Sequence, residues 1–199
     1  MLRGEGRAFS AGLDLVAAQT VFAELAALSP DAAAARIAEF QAGFSWLRRP
    51  DLVSVAAVQG HAIGAGFQLA LACDLRILAD DAQLSMAEIR HGLVPDLGGT
   101  RPLVGLVGYA RALEICVTGR RIGAAEAARI GLANTVVAVT ELDSAVSDLT
   151  AAILAGARDA VVEIKALLSG AAGRTPTQQE AAERAAQVRR IRDLAGLGE

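Results

Sequence analysis

The sequence predicts a mixed α/β fold, and three observations carry that prediction. Short β-branched runs bounded by proline and glycine, such as Val53 to Val58 between Pro50 and Gly60, alternate with helical patterns up to about residue 140. Beyond Thr140 the strand signals stop and only helical patterns follow. A composition of 53% hydrophobic and 21% charged residues over 199 positions is that of one globular domain able to bury a substantial core.

Taken in order, Gly4, Gly6 and Gly12 punctuate the opening segment, and Leu15 to Leu28 reads as helix. Ser29-Pro30-Asp31 supplies an N-cap followed by proline at the first helical position. Ile37, Phe40, Phe44 and Leu47 then recur at helical spacing, so a second amphipathic helix is expected to end before Pro50. Val53 to Val58 reads as a buried strand feeding a glycine turn at Gly60 to Gly64, which opens a helix over Ala65 to Cys73. Strands are expected at Leu75 to Leu78 and Gln83 to Met86. One helix should run from about Gly99 to Thr118, with Asp96 able to cap it and Pro102 in its first turn. Ala124 to Ile130 forms a short helix closed by Gly131, and Asn134 to Val139 a last strand.

Two further helices, roughly 141–155 and 159–169, precede a third announced by Thr175-Pro176-Thr177-Gln178, a capping-box spacing. The chain therefore divides into a core, 1–140, and a C-terminal helical region, 141–199, with Gly170 to Gly173 as the linker-like stretch. There is no internal repeat.

Charge and cysteine usage narrow the function classes. The net charge is −3, and Lys165 is the one lysine among 19 basic side chains, which form no cluster; no nucleic-acid partner is expected. Cys73 and Cys116 lie in apolar stretches without metal-ligand spacing, which reads as buried free thiols in a reducing compartment and no metal site. Without a signal-peptide pattern or an uninterrupted apolar run of membrane-spanning length, a cytoplasmic protein with no membrane partner is expected.

The chemistry concentrates in residues 60–100. A glycine-lined turn opening a helix leaves backbone N–H groups free to hold an oxygen that becomes negative, and Glu88 and Asp96 follow within the same stretch. That combination suits proton transfer beside a carbonyl.

Four segments in order, Ala8-Phe9-Ser10-Ala11-Gly12-Leu13-Asp14-Leu15, Gly60 to Asp74, Pro95-Asp96-Leu97-Gly98-Gly99-Thr100 and Gly119 to Leu132, resemble the enoyl-CoA hydratase/isomerase, or crotonase, superfamily. The resemblance implies a spiral of repeated ββα units with a C-terminal helical appendage, here without the family's usual N-terminal strands. It implies an acyl-CoA thioester substrate, with coenzyme A entering as part of the substrate and no separate cofactor. It also implies a homo-oligomer, a trimer or hexamer, assembled through the C-terminal helices.

Residue by residue, the resemblance makes Leu13 N–H and Ala65 N–H the donors that polarise the thioester carbonyl. Ser10, Ala11, Gly12, Asp14, Gly64 and Gln68 then line the substrate and its coenzyme A, with Arg7 close by. The family's hydratases use two glutamates, and here Gln68 occupies the place of the first while Glu88 occupies the second. An amide cannot accept a proton as a carboxylate does. Asp96 resembles the acidic position of the family's enoyl- and dienoyl-CoA isomerases, so the expected catalytic pair is Glu88 and Asp96. Two alternatives stand beside this isomerase reading: a hydratase using Glu88 with an activated water, and a non-catalytic acyl-CoA-binding or subunit-interaction protein. Asp14, Asp74 and Asp96 also read as local caps.

Overall fold

In the computed structural model, which describes residues 1–197, the chain passes back and forth between two small sheets. The first contains β1 (Leu2–Arg3), β2 (Val55–Val58), β4 (Leu75–Ala79) and β7 (Thr135–Val137), all parallel, in the order β1-β2-β4-β7. The second contains β3 (His61–Ile63), β5 (Gln83–Ser85) and β6 (Ile122–Gly123), with β3 parallel to β5 and β5 antiparallel to β6. Each of the steps β2 to β3 and β4 to β5 leaves the first sheet through a short turn and enters the second. Helix α3 (Ala65–Ala72) then carries the chain back.

The alternation of side chains along β2 and β4 sets the layers. Ala56, Val58 and Leu78 face a core built around Phe67, Leu71, Leu84, Met86, Leu103, Ile115, Ile122 and Leu132. Val55, Ala57, Ile77 and Ala79 face the other way, onto Leu142 and Val146 of α7 (Leu142–Leu154). Burial of both faces explains why these strands are apolar except at Arg76, whose buried guanidinium donates to Leu132 C=O (2.8 Å) and Cys73 C=O (2.9 Å). Each large, fully buried side chain contributes roughly 1.5–3 kcal/mol.

The helices α1 (Leu15–Ala27) and α2 (Pro30–Ser45) form an outer pair; α1 buries only Ala18 and α2 fully buries none of its residues. Ser29 Oγ accepts from Ala32 N–H at the start of α2, as its capping pattern predicts. A 3₁₀ turn, Trp46–Arg48, continues α2 and buries Leu47. The expected single helix over Gly99 to Thr118 is two, α4 (Thr100–Val107) and α5 (Tyr109–Thr118), because Gly108 takes φ 77° and breaks the run. After α6 (Ala124–Arg129) and α7, helices α8 (Arg158–Ala171) and α9 (Pro176–Leu194) complete the chain, and Thr175 with Gln178 forms the capping box at the start of α9.

Three strands escape the sequence reading: β1, two residues in the glycine-punctuated opening segment, and β3 and β6. β3 lies inside what reads as a glycine turn, and β6 consists of two residues without a β-branched run around them. Asp74, read as a local cap, instead makes a long-range contact. Its Oδ2 accepts from Ser54 N–H at 2.7 Å and from Lys165 Nζ at 2.7 Å, and Lys165 Nζ also donates to Leu52 C=O at 2.7 Å. The chain's one lysine is thereby nearly buried and ties α8 to the core.

Candidate active site

The segment before α1 is zipped onto β3. Phe9 N–H donates to Gln59 C=O (2.9 Å), Ser10 N–H to His61 C=O (2.8 Å), and Ile63 N–H to Ser10 C=O (3.0 Å). Two glycines permit the close approach beyond this point. A Cβ on Gly66 would lie 2.6 Å from Ser10 O, and a Cβ on Gly12 2.5 Å from Ile63 O, while Gly12 also holds φ +93°. That same Gly12 Cβ position is 3.8 Å from Ala65 N, so Leu13 follows directly on a residue that lies against Ala65.

Gly64, with φ 53° and ψ −120°, turns β3 into α3. Its N–H donates to Ser85 C=O (2.8 Å) and its C=O accepts from Gln68 N–H (3.0 Å). Ala65 is therefore the first residue of α3, where N–H groups have no intrahelical partner and the helix end is positive. Among the described residues neither Leu13 N–H nor Ala65 N–H has a hydrogen-bond acceptor.

Glu88 stands beside this turn, on the 3₁₀ helix Ala87–His91. A Cβ on Gly64 would be 3.6 Å from Glu88 Oε1 and 4.0 Å from Oε2, ordinary contact distances, so the positive φ rather than space calls for glycine beside the carboxylate. Glu88 Oε1 accepts from Gln68 Nε2 at 2.7 Å, whereas Oε2 is buried with no partner among the described residues. Gly119 braces the segment: its C=O accepts from Ser85 Oγ (2.8 Å) and Arg90 Nη2 (2.8 Å). Burial pushes the nearby Cys116 thiol up, and the Glu88 charge adds to the effect.

Gln68, 1% exposed, connects Glu88 to the loop that carries Asp96. Its Oε1 accepts from Leu97 N–H at 2.9 Å and Gly99 N–H at 3.2 Å. The Asp96 carboxylate makes no hydrogen bond among the described residues, and the start of α4 is formed by Gly99 without a side-chain cap. Asp96 is therefore not the helix cap that its position suggests: Gly98 and Gly99 intervene, and the orphan amides turn to Gln68.

Ser10, Ala11 and Gly12 line the approach to Ala65, and Ser10 Oγ accepts from Gly12 N–H at 3.2 Å. Asp14 caps α1, its Oδ1 accepting from Val16 N–H (2.9 Å) and Ala17 N–H (3.1 Å). A groove of about 770 Å³ runs outside this loop, lined by Arg7, Ser10, Ala11 and His61 with Glu5 and Asp81 at its rim. Among the described residues no group of three His, Cys, Asp or Glu side chains is placed to hold a metal ion, and no helix is long and apolar enough to cross a membrane. The bracing contacts of Ser85, Arg90 and Gly119 escape sequence reasoning, since they span 29 and 34 residues; the glycine at 119, which opens the fourth resembling segment, is the one local signal.

The family model described as enoyl-CoA hydratase/isomerase matches residues 1–194. A Mycobacterium bovis protein described as an enoyl-CoA hydratase is 36% identical over 143 residues, covering 71% of this chain and 52% of its own length. The carnitinyl-CoA dehydratase of Escherichia coli K12 is 38% identical over 157 residues, covering 79% of this chain and 57% of that protein. This chain thus spans about half the length of the curated relatives it matches. The structure of a Thermobifida fusca YX protein described as an enoyl-CoA hydratase, in complex with acetoacetyl-CoA, superposes with a TM-score of 0.90 at 50% identity over 96% of this chain and 76% of the other. With this fold and these matches, the chain belongs to the enoyl-CoA hydratase/isomerase family.

Proposed function

We propose that the protein is an acyl-CoA enzyme that moves a proton along an unsaturated acyl chain, with the thioester oxygen held by Leu13 N–H and Ala65 N–H. The observation that supports this reading is the free Ala65 N–H at the start of α3, with Gly12, the residue before Leu13, lying against it and the buried, unpartnered Glu88 Oε2 beside Gly64. Removing a proton beside a thioester is prohibitive unless fixed dipoles hold the developing charge. One such donor is typically worth roughly 100- to 1000-fold in rate.

Because Gln68 Nε2 donates to Glu88 Oε1, that oxygen is an acceptor, and proton traffic falls to Oε2. Oε2 takes a proton from the carbon next to the thioester carbonyl, and the electron pair enters an extended enolate. Asp96 relays a proton to a carbon farther along the chain as the double bond shifts, and solvent exchanges the proton that Glu88 took. The acyl-CoA complex of the T. fusca relative supports a thioester ligand. Coenzyme A would lie along Ser10 to Asp14, with Arg7 on the bordering groove to meet a phosphate.

A second reading, hydration at Glu88 through an activated water, is favoured by the hydratase and dehydratase descriptions of the relatives. Against it stands Gln68, which lacks the second carboxylate and has its Oε1 engaged by two amides. The exposed apolar residues Ile164, Leu168, Val188 and Ile191 on α8 and α9 suit assembly into the trimer or hexamer that the family resemblance implies.

Turnover of enoyl- and dienoyl-CoA substrates in D₂O, read by mass spectrometry, tests the reading. Double-bond migration with deuterium incorporation, lost in Glu88→Gln and Asp96→Asn, is the expected result. Water addition surviving in Asp96→Asn would transfer the assignment to the hydratase. Binding without turnover would leave only an acyl-CoA-binding role.

A further inference from the structure

We propose that Gln41, on the outer helix α2, is a positioning residue for Asp96, with Arg48 as its companion. This rests on the acid role proposed above for Asp96.

The Asp96 carboxylate has no hydrogen bond of its own among the described residues, so its place is set by the backbone that carries it. The peptide group between Asp96 and Leu97 is gripped at both ends. Its C=O accepts from Gln41 Nε2 at 2.6 Å, and its N–H donates to Gln68 Oε1 at 2.9 Å. The peptide group between Gly98 and Gly99 repeats the arrangement: its C=O accepts from Arg48 Nη2 at 3.2 Å, and its N–H donates to the same Gln68 oxygen at 3.2 Å. Both planes are thus held between α3 on the inside and α2 with its 3₁₀ extension on the outside.

This segment needs such a clamp. Gly98 has φ +82°, so the chain around Asp96 lacks the stiffness of a helix or strand. α2 buries no residue fully, so its polar contacts with this loop are not incidental to a packed core. With the peptide plane after Asp96 fixed, the Asp96 side chain is confined to few positions relative to Glu88, whose carboxylate is held by the same Gln68. Displacement of a catalytic group by about 1 Å can cost about 100-fold in rate.

The test separates the two proton-handling steps. Exchange of the α-proton for deuterium requires Glu88 and the two N–H donors, whereas migration of the double bond also requires Asp96. Gln41→Met keeps side-chain length and removes the donor; it is expected to lower kcat for migration by about tenfold or more while exchange and KM stay within about twofold. Gln41→Lys retains a donor of similar reach and is expected to restore migration to within about threefold of the unsubstituted protein. Migration and exchange falling together in Gln41→Met, or neither falling, would overturn the proposal. If Asp96→Asn leaves their ratio unchanged, the acid role itself fails, a result distinct from any outcome at Gln41. A readout independent of turnover is the hydrogen exchange of the Leu97 and Gly99 amides. It should accelerate at least about fivefold in Gln41→Met and recover in Gln41→Lys; unchanged protection in Gln41→Met sinks the proposal whatever the activity.

Discussion

Replacing Gln68 with leucine removes three hydrogen bonds at nearly constant volume, so the site loses polar partners without gaining a cavity. The Gly99 N–H is buried, and stranding such a donor costs roughly 1–3 kcal/mol; the bond to the charged Glu88 oxygen is worth about 1.5–3 kcal/mol. The Leu97 amide is partly exposed, and water replaces its acceptor at small cost. The sum is about 3–5 kcal/mol. With a urea dependence of about 2 kcal/mol per molar, the unfolding midpoint should fall by roughly 1.5–2.5 M. Gln68→Glu divides the effect, because it keeps the acceptor for both amides and sets a second carboxylate where Nε2 now lies 2.7 Å from Glu88 Oε1. Two carboxylates so close do not both ionise, so one is held above the ordinary glutamate value of about 4.3. A folded-state pKa above the unfolded one means that stability is complete below about pH 4.3 and is lost as the pH rises through the raised value. Urea titrations of both variants from pH 4 to 8 check this. A midpoint shift under about 0.5 M for Gln68→Leu, or a Gln68→Glu variant that follows the unsubstituted protein at every pH, would refute the bridging role.

Gly66→Ala places a methyl group 2.6–2.7 Å from Ser10 atoms, driving the Ser10 to Leu13 segment off α3; turnover should fall roughly 100- to 1000-fold as the donor pair separates, and activity within about fivefold of normal would contradict the donor assignment. Lys165→Met removes the counter-charge of the Asp74 carboxylate, which keeps its Ser54 hydrogen bonds, and should destabilise by about 2 kcal/mol in chemical denaturation. Adding Asp74→Asn should recover part of that loss, and strict additivity would argue against the pair. Burial pushes the Cys73 thiol up to about 11, so the native protein should resist a chromogenic disulfide reagent at pH 8 and react at once when unfolded. The same shift predicts that stability, intact below about pH 8.5, declines toward pH 11 by about 1.4 kcal/mol per pH unit. A Cys73→Ala variant that keeps the full slope would refute that linkage.

Elements with strong local signals match the sequence reading closely. Ser29-Pro30 and the Thr175 to Gln178 box start α2 and α9 where expected, because a cap is decided within one helical turn. The apolar runs of β2 and, apart from Arg76, of β4 mark strands buried on both faces. Short or interrupted elements were not legible. β3 and β6 are held by pairing partners distant in sequence, and Gly108 breaks a helix whose apolar pattern continues across it.

The candidate site divides along the same line. Its residue types, the paired glycine turns and the two carboxylates, are local features that also carry the family resemblance, and residue order suffices to show them. The meeting of Gly12 with Ala65, the place of Gln68 between Glu88 and the Asp96 loop, the grip of Gln41 on that loop, and the pairing of Asp74 with Lys165 are products of folding. Local preferences act over a few residues, whereas these contacts join segments 20 to 91 positions apart, and only the packed core decides which of many possible partners meet.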